Sequence, residues 1–351
     1  MMNKEIVLME ASQDNRKVPY IQWVRGLSIL GVVLFHIVWG YMSAQGLLRE
    51  LLWPFCYCTR VFFFCSGFGL YYSYLRNPVP YPAFLRRRFL NIYLPYIFAV
   101  LICFFVPYTY QGDGRIAALL SHIFLYKMFL PSKIQSFGPF WFMSAIFIYY
   151  LLFYALIWFK ERVGNNRRFL AFWILVSLAS TAIGSRIPLL CGEYHSVFDA
   201  MPFMHCCFFV LGMLAAEKLC RTGRVAISIR TLTIVSIAFL ALYLLVPHMH
   251  TMYMNEIPTT MIVLCLFTIL WAVSSKWTLF RRWVCRIDSV SFEWYLLHMM
   301  ITEGCFRYFR NRSASNLLAG AVSFAASLLA AWLYHELIVL IKKSLAKRSA
   351  K

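Results

Sequence analysis

The sequence predicts an all-α polytopic membrane protein of about ten transmembrane helices, with its N- and C-termini in the cytoplasm. Three observations carry that expectation. The 351 residues are 61% apolar and only 14% charged, a composition typical of membrane proteins and unlike that of large soluble enzymes. Apolar stretches close to the roughly 20 residues needed to cross hydrocarbon recur along the whole length. Lysine and arginine are abundant in every second connecting segment, the pattern that sets orientation in a bilayer.

Residues 1–19 are polar and lack a charged-then-apolar leader with a small-residue cleavage site, so they read as a cytoplasmic tail. The membrane domain is expected over 20–341. Its spans fall near Ile21–Tyr41, Trp53–Leu75, Ile92–Tyr108, Pro139–Phe159, Phe169–Ser185, Ala200–Ala216, Thr231–Val246, Ile257–Val273, Ser289–Thr302 and Asn316–Ile341. The second and ninth are the least regular, and Arg60 marks the outer interface of the second. Arg115–Leu130 (RIAALLSHIFLYKMFL) is too polar to span and reads as an amphipathic helix at the outer surface. Residues 342–351 form a basic cytoplasmic tail.

With the N-terminus inside, the inward segments hold 24 lysines and arginines and the outward segments 8, while Arg25 and Arg60 lie within spans. Acidic residues fall on both sides, so the asymmetry belongs to the cations. The net charge of +20 therefore marks the cytoplasmic face of a bilayer and not a basic surface for nucleic acid. Cys65, Cys103, Cys206, Cys207 and Cys265 fall in apolar runs and read as packing thiols; no cysteine pair has zinc or redox spacing. No repeat divides the chain into halves.

The first span, WVRGLSILGVVLFHIVWGY, carries Arg25 and His36. Eleven helical steps leave them about 20° apart in azimuth and ~16 Å apart along the axis. They share one face, with arginine near the cytoplasm and histidine past the midplane. Ionisable groups in a span are costly and mark functional paths. Taken singly, Arg25 also reads as a snorkelling interface residue and His36 as a packing histidine.

The Arg25-x10-His36 spacing in RGLSILGVVLFH resembles the first-helix signature of the acyltransferase-3 family of integral membrane O-acyltransferases. Further stretches follow in that family's order: VFFFCSGFGL (Val61–Leu70), RRRFLNIYLPY (Arg86–Tyr96), FWFMSAIFIYY (Phe140–Tyr150), FFVLGM (Phe208–Met213) and SFEWYLLH (Ser291–His298). The resemblance runs from about Tyr20 to Ile341. Two departures stand out. Asn91 occupies a position where the family often has a further arginine, and Cys65 one where it has an aliphatic residue.

The resemblance implies transfer of an acyl group, commonly acetyl, from cytoplasmic acetyl-CoA or another acyl-CoA to a hydroxyl of a cell-surface glycan or lipid-linked sugar, in a bacterial cytoplasmic (inner) membrane. Catalysis would rest on His36 and Arg25, with His36 either a general base or a transient acyl carrier. Arg86, Arg87 and Arg88 would meet the phosphates of the donor, for which the guanidinium fork is suited. Glu293, His298 and Trp141 are candidates on the substrate side or in support. Glu293 and His298, five residues apart, project about 140° from one another; Glu293 is a candidate partner for Arg25, and His298 shares a face with Tyr295 and Thr302. Ser66 lacks the glycine context of a nucleophile elbow. His248 and His250 have no third ligand, so no metal is expected. A transporter of a small polar solute or lipid-linked sugar is the alternative reading of the intramembrane charges, disfavoured by the lack of paired repeats. The oligomeric state is not legible.

Overall fold

Apolar runs surrounded by hydrocarbon must satisfy their backbones internally, and here they do so as helices. The computed structural model describes residues 5–10, 18–42, 46–127, 140–191, 202–245, 256–312 and 315–349. Its helices are α1 (Pro19–Phe35), α2 (Gly46–Leu52), α3 (Cys58–Arg76), α4 (Tyr81–Arg88), α5 (Leu94–Phe105), α6 (Arg115–Ile123), α7 (Trp141–Val163), α8 (Asn166–Cys191), α9 (Pro202–Thr222), α10 (Ile229–Leu245), α11 (Glu256–Val273), α12 (Thr278–Ile287), α13 (Ser291–Arg310) and α14 (Asn316–Ser349). Two π-helical segments interrupt them: His36–Tyr41 extends α1, and Phe89–Tyr93 joins α4 to α5.

The protein is an all-α polytopic membrane protein. Seven helical stretches among the described residues are long and apolar enough to cross a bilayer: Pro19–Tyr41, Gly46–Arg76, Tyr81–Phe105, Trp141–Val163, Pro202–Thr222, Glu256–Lys276 and Asn316–Leu345. Three of the ten expected spans fall outside that set. Helix α8 opens on Arg167 and Arg168, α10 has only 17 residues, and α13 carries Glu293, Glu303, Arg307 and Arg310. The third span begins at Tyr81, eleven residues before the expected Ile92, because Pro-flanked α4 runs through the arginine cluster into α5.

The second span was expected over Trp53–Leu75; the helical stretch runs from Gly46 to Arg76, with α3 starting at Cys58 and Arg60 in its first turn. The amphipathic segment folds as α6, a surface helix of nine residues. One element was not legible beforehand: Glu5–Glu10 (β1) pairs antiparallel with Arg224–Ser228 (β2). The Trp271 indole donates to the Val7 carbonyl oxygen at 3.1 Å and ties this ribbon to α11.

The most extensive packing joins α3 to α9. A Cβ on Gly67 would lie 1.9 Å from the Phe209 carbonyl oxygen, and one on Gly212 would lie 2.0 Å from that of Phe64. Backbones can approach so closely only where side chains are absent, as small residues allow in membrane bundles. Helix α1 is held from several sides; Trp23 is fully buried and donates to the Phe267 carbonyl oxygen at 3.0 Å.

Candidate active site

Helices α1 and α13 run side by side in the same direction, and their contacts place the polar face of α1. At the end where both begin, Arg25 Nε lies 3.1 Å from Asp288 Oδ1, and its Nη2 donates to Ser291 Oγ at 3.4 Å. Asp288 is buried. The partner of Arg25 is therefore Asp288 and not Glu293, the candidate suggested by the sequence. Glu293 instead accepts from His335 Nδ1 at 3.0 Å, which clamps α13 to α14. The signal for Asp288 was an acid one turn ahead of Ser291, in RIDSVSFEW.

Arg25 lines a cavity of about 190 Å³ together with Arg88, Cys65, Ser66, Tyr150 and Tyr295. The arginine run thus divides. Arg88 is half-buried in the cavity wall while Arg86 and Arg87 are exposed; Arg87 and Arg88 both line a second, small recess, and only Arg88 reaches the cavity of Arg25. The Arg88 Nε is buried without a hydrogen-bond partner among the described residues. Asn91 accepts from Lys342 Nζ at 3.3 Å, which brings a cation of α14 to the position of the missing family arginine.

Toward the opposite end, the outermost lining residues are Phe62 of α3, Phe142 of α7 and Tyr295 of α13. His36 does not line the cavity; one turn beyond Tyr295 comes His298, and His298 meets it. The two rings lie 5.0 Å apart between centroids, with His298 Nε2 3.1 Å from His36 Nδ1. His298 is fully buried, and its Nδ1 lies 2.8 Å from the Tyr295 carbonyl oxygen and 3.1 Å from that of Trp294. His36 is half-buried and begins the π-helical segment, an irregularity that recurs at functional sites. The divergence of Glu293 and His298 expected from their spacing is observed: one turns to α14, the other to α1.

Trp141 lies in a different cluster. Its ring sits 5.2 Å from the Arg60 guanidinium, and Arg60 Nε pairs with Glu256 Oε1 at 3.4 Å. Glu256 is also bonded to His205 Nδ1. These groups stand in the first turns of α3, α7, α9 and α11; His205 and Glu256 are buried, Arg60 and Trp141 half-buried. Tyr149 bonds to the Pro202 carbonyl oxygen, whereas Tyr150 faces the Arg25–Arg88 cavity. Sequence reading missed His205 and Glu256; each opens an apolar helix with a polar group.

Helix periodicity thus brings together two cations, a narrow cavity and a histidine couple in line along α1 and α13. A family model described as an acyltransferase domain matches residues 18–336. The chain belongs to the acyltransferase-3 family. It is a membrane-embedded O-acyltransferase, and the chemistry of its family draws on acyl-CoA. No curated protein and no solved structure matches it. Among the described residues of this acyltransferase no group of three His, Cys, Asp or Glu side chains gathers as a metal set; His248 and His250 lie outside the described residues.

Proposed function

We propose that this acyltransferase draws an acyl group, acetyl in the simplest case, from cytoplasmic acyl-CoA and passes it to a hydroxyl of a cell-surface glycan or lipid-linked sugar. The observation that carries the reading is the shared cavity of Arg25 and Arg88, aligned with the His36–His298 couple. The 24-to-8 bias of cations supports placing the end with Arg25 in the cytoplasm of an inner membrane, with both termini inside and ten spans in all. Phosphates of the donor then meet Arg25 and Arg88, while the thioester points along α1.

His36 is the general base for the acceptor hydroxyl, which arrives from the opposite end. The acceptor oxygen bonds to the acyl carbon, the carbon–sulfur bond breaks, and the hydroxyl proton passes through His36 to the departing thiolate. General-base catalysis of this kind contributes about 10²–10⁴ in rate. The test is transfer of labelled acetyl from acetyl-CoA to membrane glycan by purified wild-type protein and by His36→Ala. Transfer should fall by about 10² or more in the variant with donor binding retained. Equal transfer by both proteins would overturn the assignment.

A further inference from the structure

Resting on the reading of His36 as the base, we infer that His298 is the positioning residue that fixes the tautomer of His36 and so selects Nε2 as its working nitrogen. The proton bookkeeping follows from the contacts. His298 Nδ1 faces two backbone carbonyl oxygens, those of Tyr295 at 2.8 Å and Trp294 at 3.1 Å. Carbonyl oxygens only accept, so Nδ1 carries a hydrogen. A neutral imidazole protonated at Nδ1 has a bare lone pair at Nε2. That lone pair lies 3.1 Å from His36 Nδ1, and the hydrogen between the two rings must therefore belong to His36.

His36 is then the Nδ1–H tautomer, and its Nε2 is bare. A second proton on His298 would reverse the order. It would also bury a cation that no acid contacts, which is costly. The acids of its own helix are turned elsewhere, Glu293 to His335 and Glu303 to Arg307.

When His36 Nε2 takes the proton of the acceptor hydroxyl, positive charge spreads over its ring. The Nδ1–H bond to His298 then becomes charge-assisted and strengthens. A fixed tautomer and a bond that tightens as charge develops are what a buried carboxylate supplies in a serine-hydrolase triad. Here a neutral imidazole locked by backbone carbonyls supplies both. His298, fully buried, acts through His36.

Two substitutions and one spectrum test this. His298→Gln keeps an acceptor oxygen within reach of His36, whereas His298→Phe keeps ring volume and removes the acceptor on α13, leaving the His36 ring only the Val32 carbonyl of its own helix. Acetyl transfer by the phenylalanine variant should lose about 10² or more in kcat with KM for acetyl-CoA unchanged. Glutamine should recover at least about tenfold of that loss. A packing role gives the opposite order, since phenylalanine fits an apolar slot and a buried amide does not; phenylalanine equal to or better than glutamine overturns the inference. Independently of either variant, nitrogen-15 NMR of histidine-labelled wild-type protein, with His36 assigned by its loss in His36→Ala, should show hydrogen on Nδ1. Hydrogen on Nε2 in a wild-type protein that transfers acetyl overturns the inference alone. A wild-type protein with no transfer at all removes the base reading beneath it.

Discussion

Alanine substitution of Arg88 and, separately, of Arg87 asks whether position or mere count of charge builds the donor site. Arg88 shares the 190 Å³ cavity with Arg25, where its guanidinium can meet a donor phosphate. A hydrogen bond to a charged group contributes about 1.5–3 kcal/mol. At about 1.4 kcal/mol per tenfold, Arg88→Ala should raise the Kd for acetyl-CoA by roughly 10- to 150-fold. Arg87 is exposed, where an ion pair is worth about 0–1 kcal/mol, so Arg87→Ala should cost less than about fivefold. Arg88→Lys keeps the charge, loses the planar fork and should fall between. The assay is equilibrium binding of labelled acetyl-CoA to detergent-purified protein at low and high salt. Equal losses for Arg87→Ala and Arg88→Ala would refute the reasoning, because a diffuse basic surface would then suffice.

Three further outcomes are expected. Gly67→Ala forces the α3–α9 backbones apart and should lower stability by about 2–3 kcal/mol, read from thermal unfolding in detergent; a wild-type midpoint would show that the contact yields freely. A double-mutant cycle of Arg25 with Asp288 should show a coupling of at least about 0.5 kcal/mol, while one of Arg25 with Glu293 should be additive; the reverse would restore the pairing suggested by the sequence. Burial, reinforced by nearby Lys127, pulls His122 on surface helix α6 down to about 3. In the unfolded chain it titrates near 6.5, so its contribution to stability is full above that pH and is lost as pH falls toward 3. The slope reaches up to about 1.4 kcal/mol per pH unit. His122→Gln should unfold with a flatter dependence between pH 6.5 and 4; an identical slope would refute it.

Much of the fold could be read in advance because hydrocarbon leaves the backbone few options. Apolar length pointed to all seven membrane-length helices, though the third begins well before its expected start, and the Arg25–His36 spacing gave a shared face from helix geometry alone. What failed was partner choice. Nothing in RRRFLNIY tells which arginine turns inward, since the π-helical segment after Arg88 alters the register by which faces are counted. Asp288 and Glu293 are both acids near Ser291, and only tertiary packing sends one to Arg25 and the other to His335. The β1–β2 ribbon joins residues more than two hundred positions apart, beyond the range of any local pattern. The histidine couple needed two helices placed in parallel; each ring was visible in the sequence, their meeting was not.

The π-helical segments begin at His36 and directly after Arg88. A wider turn inserts a phase slip, so side chains beyond it obey a different clock from those before it. In the first span the slip falls at the imidazole itself, so the face shared by Arg25 and His36 ends there and the closing turn, as far as Tyr41, presents its side chains on another phase.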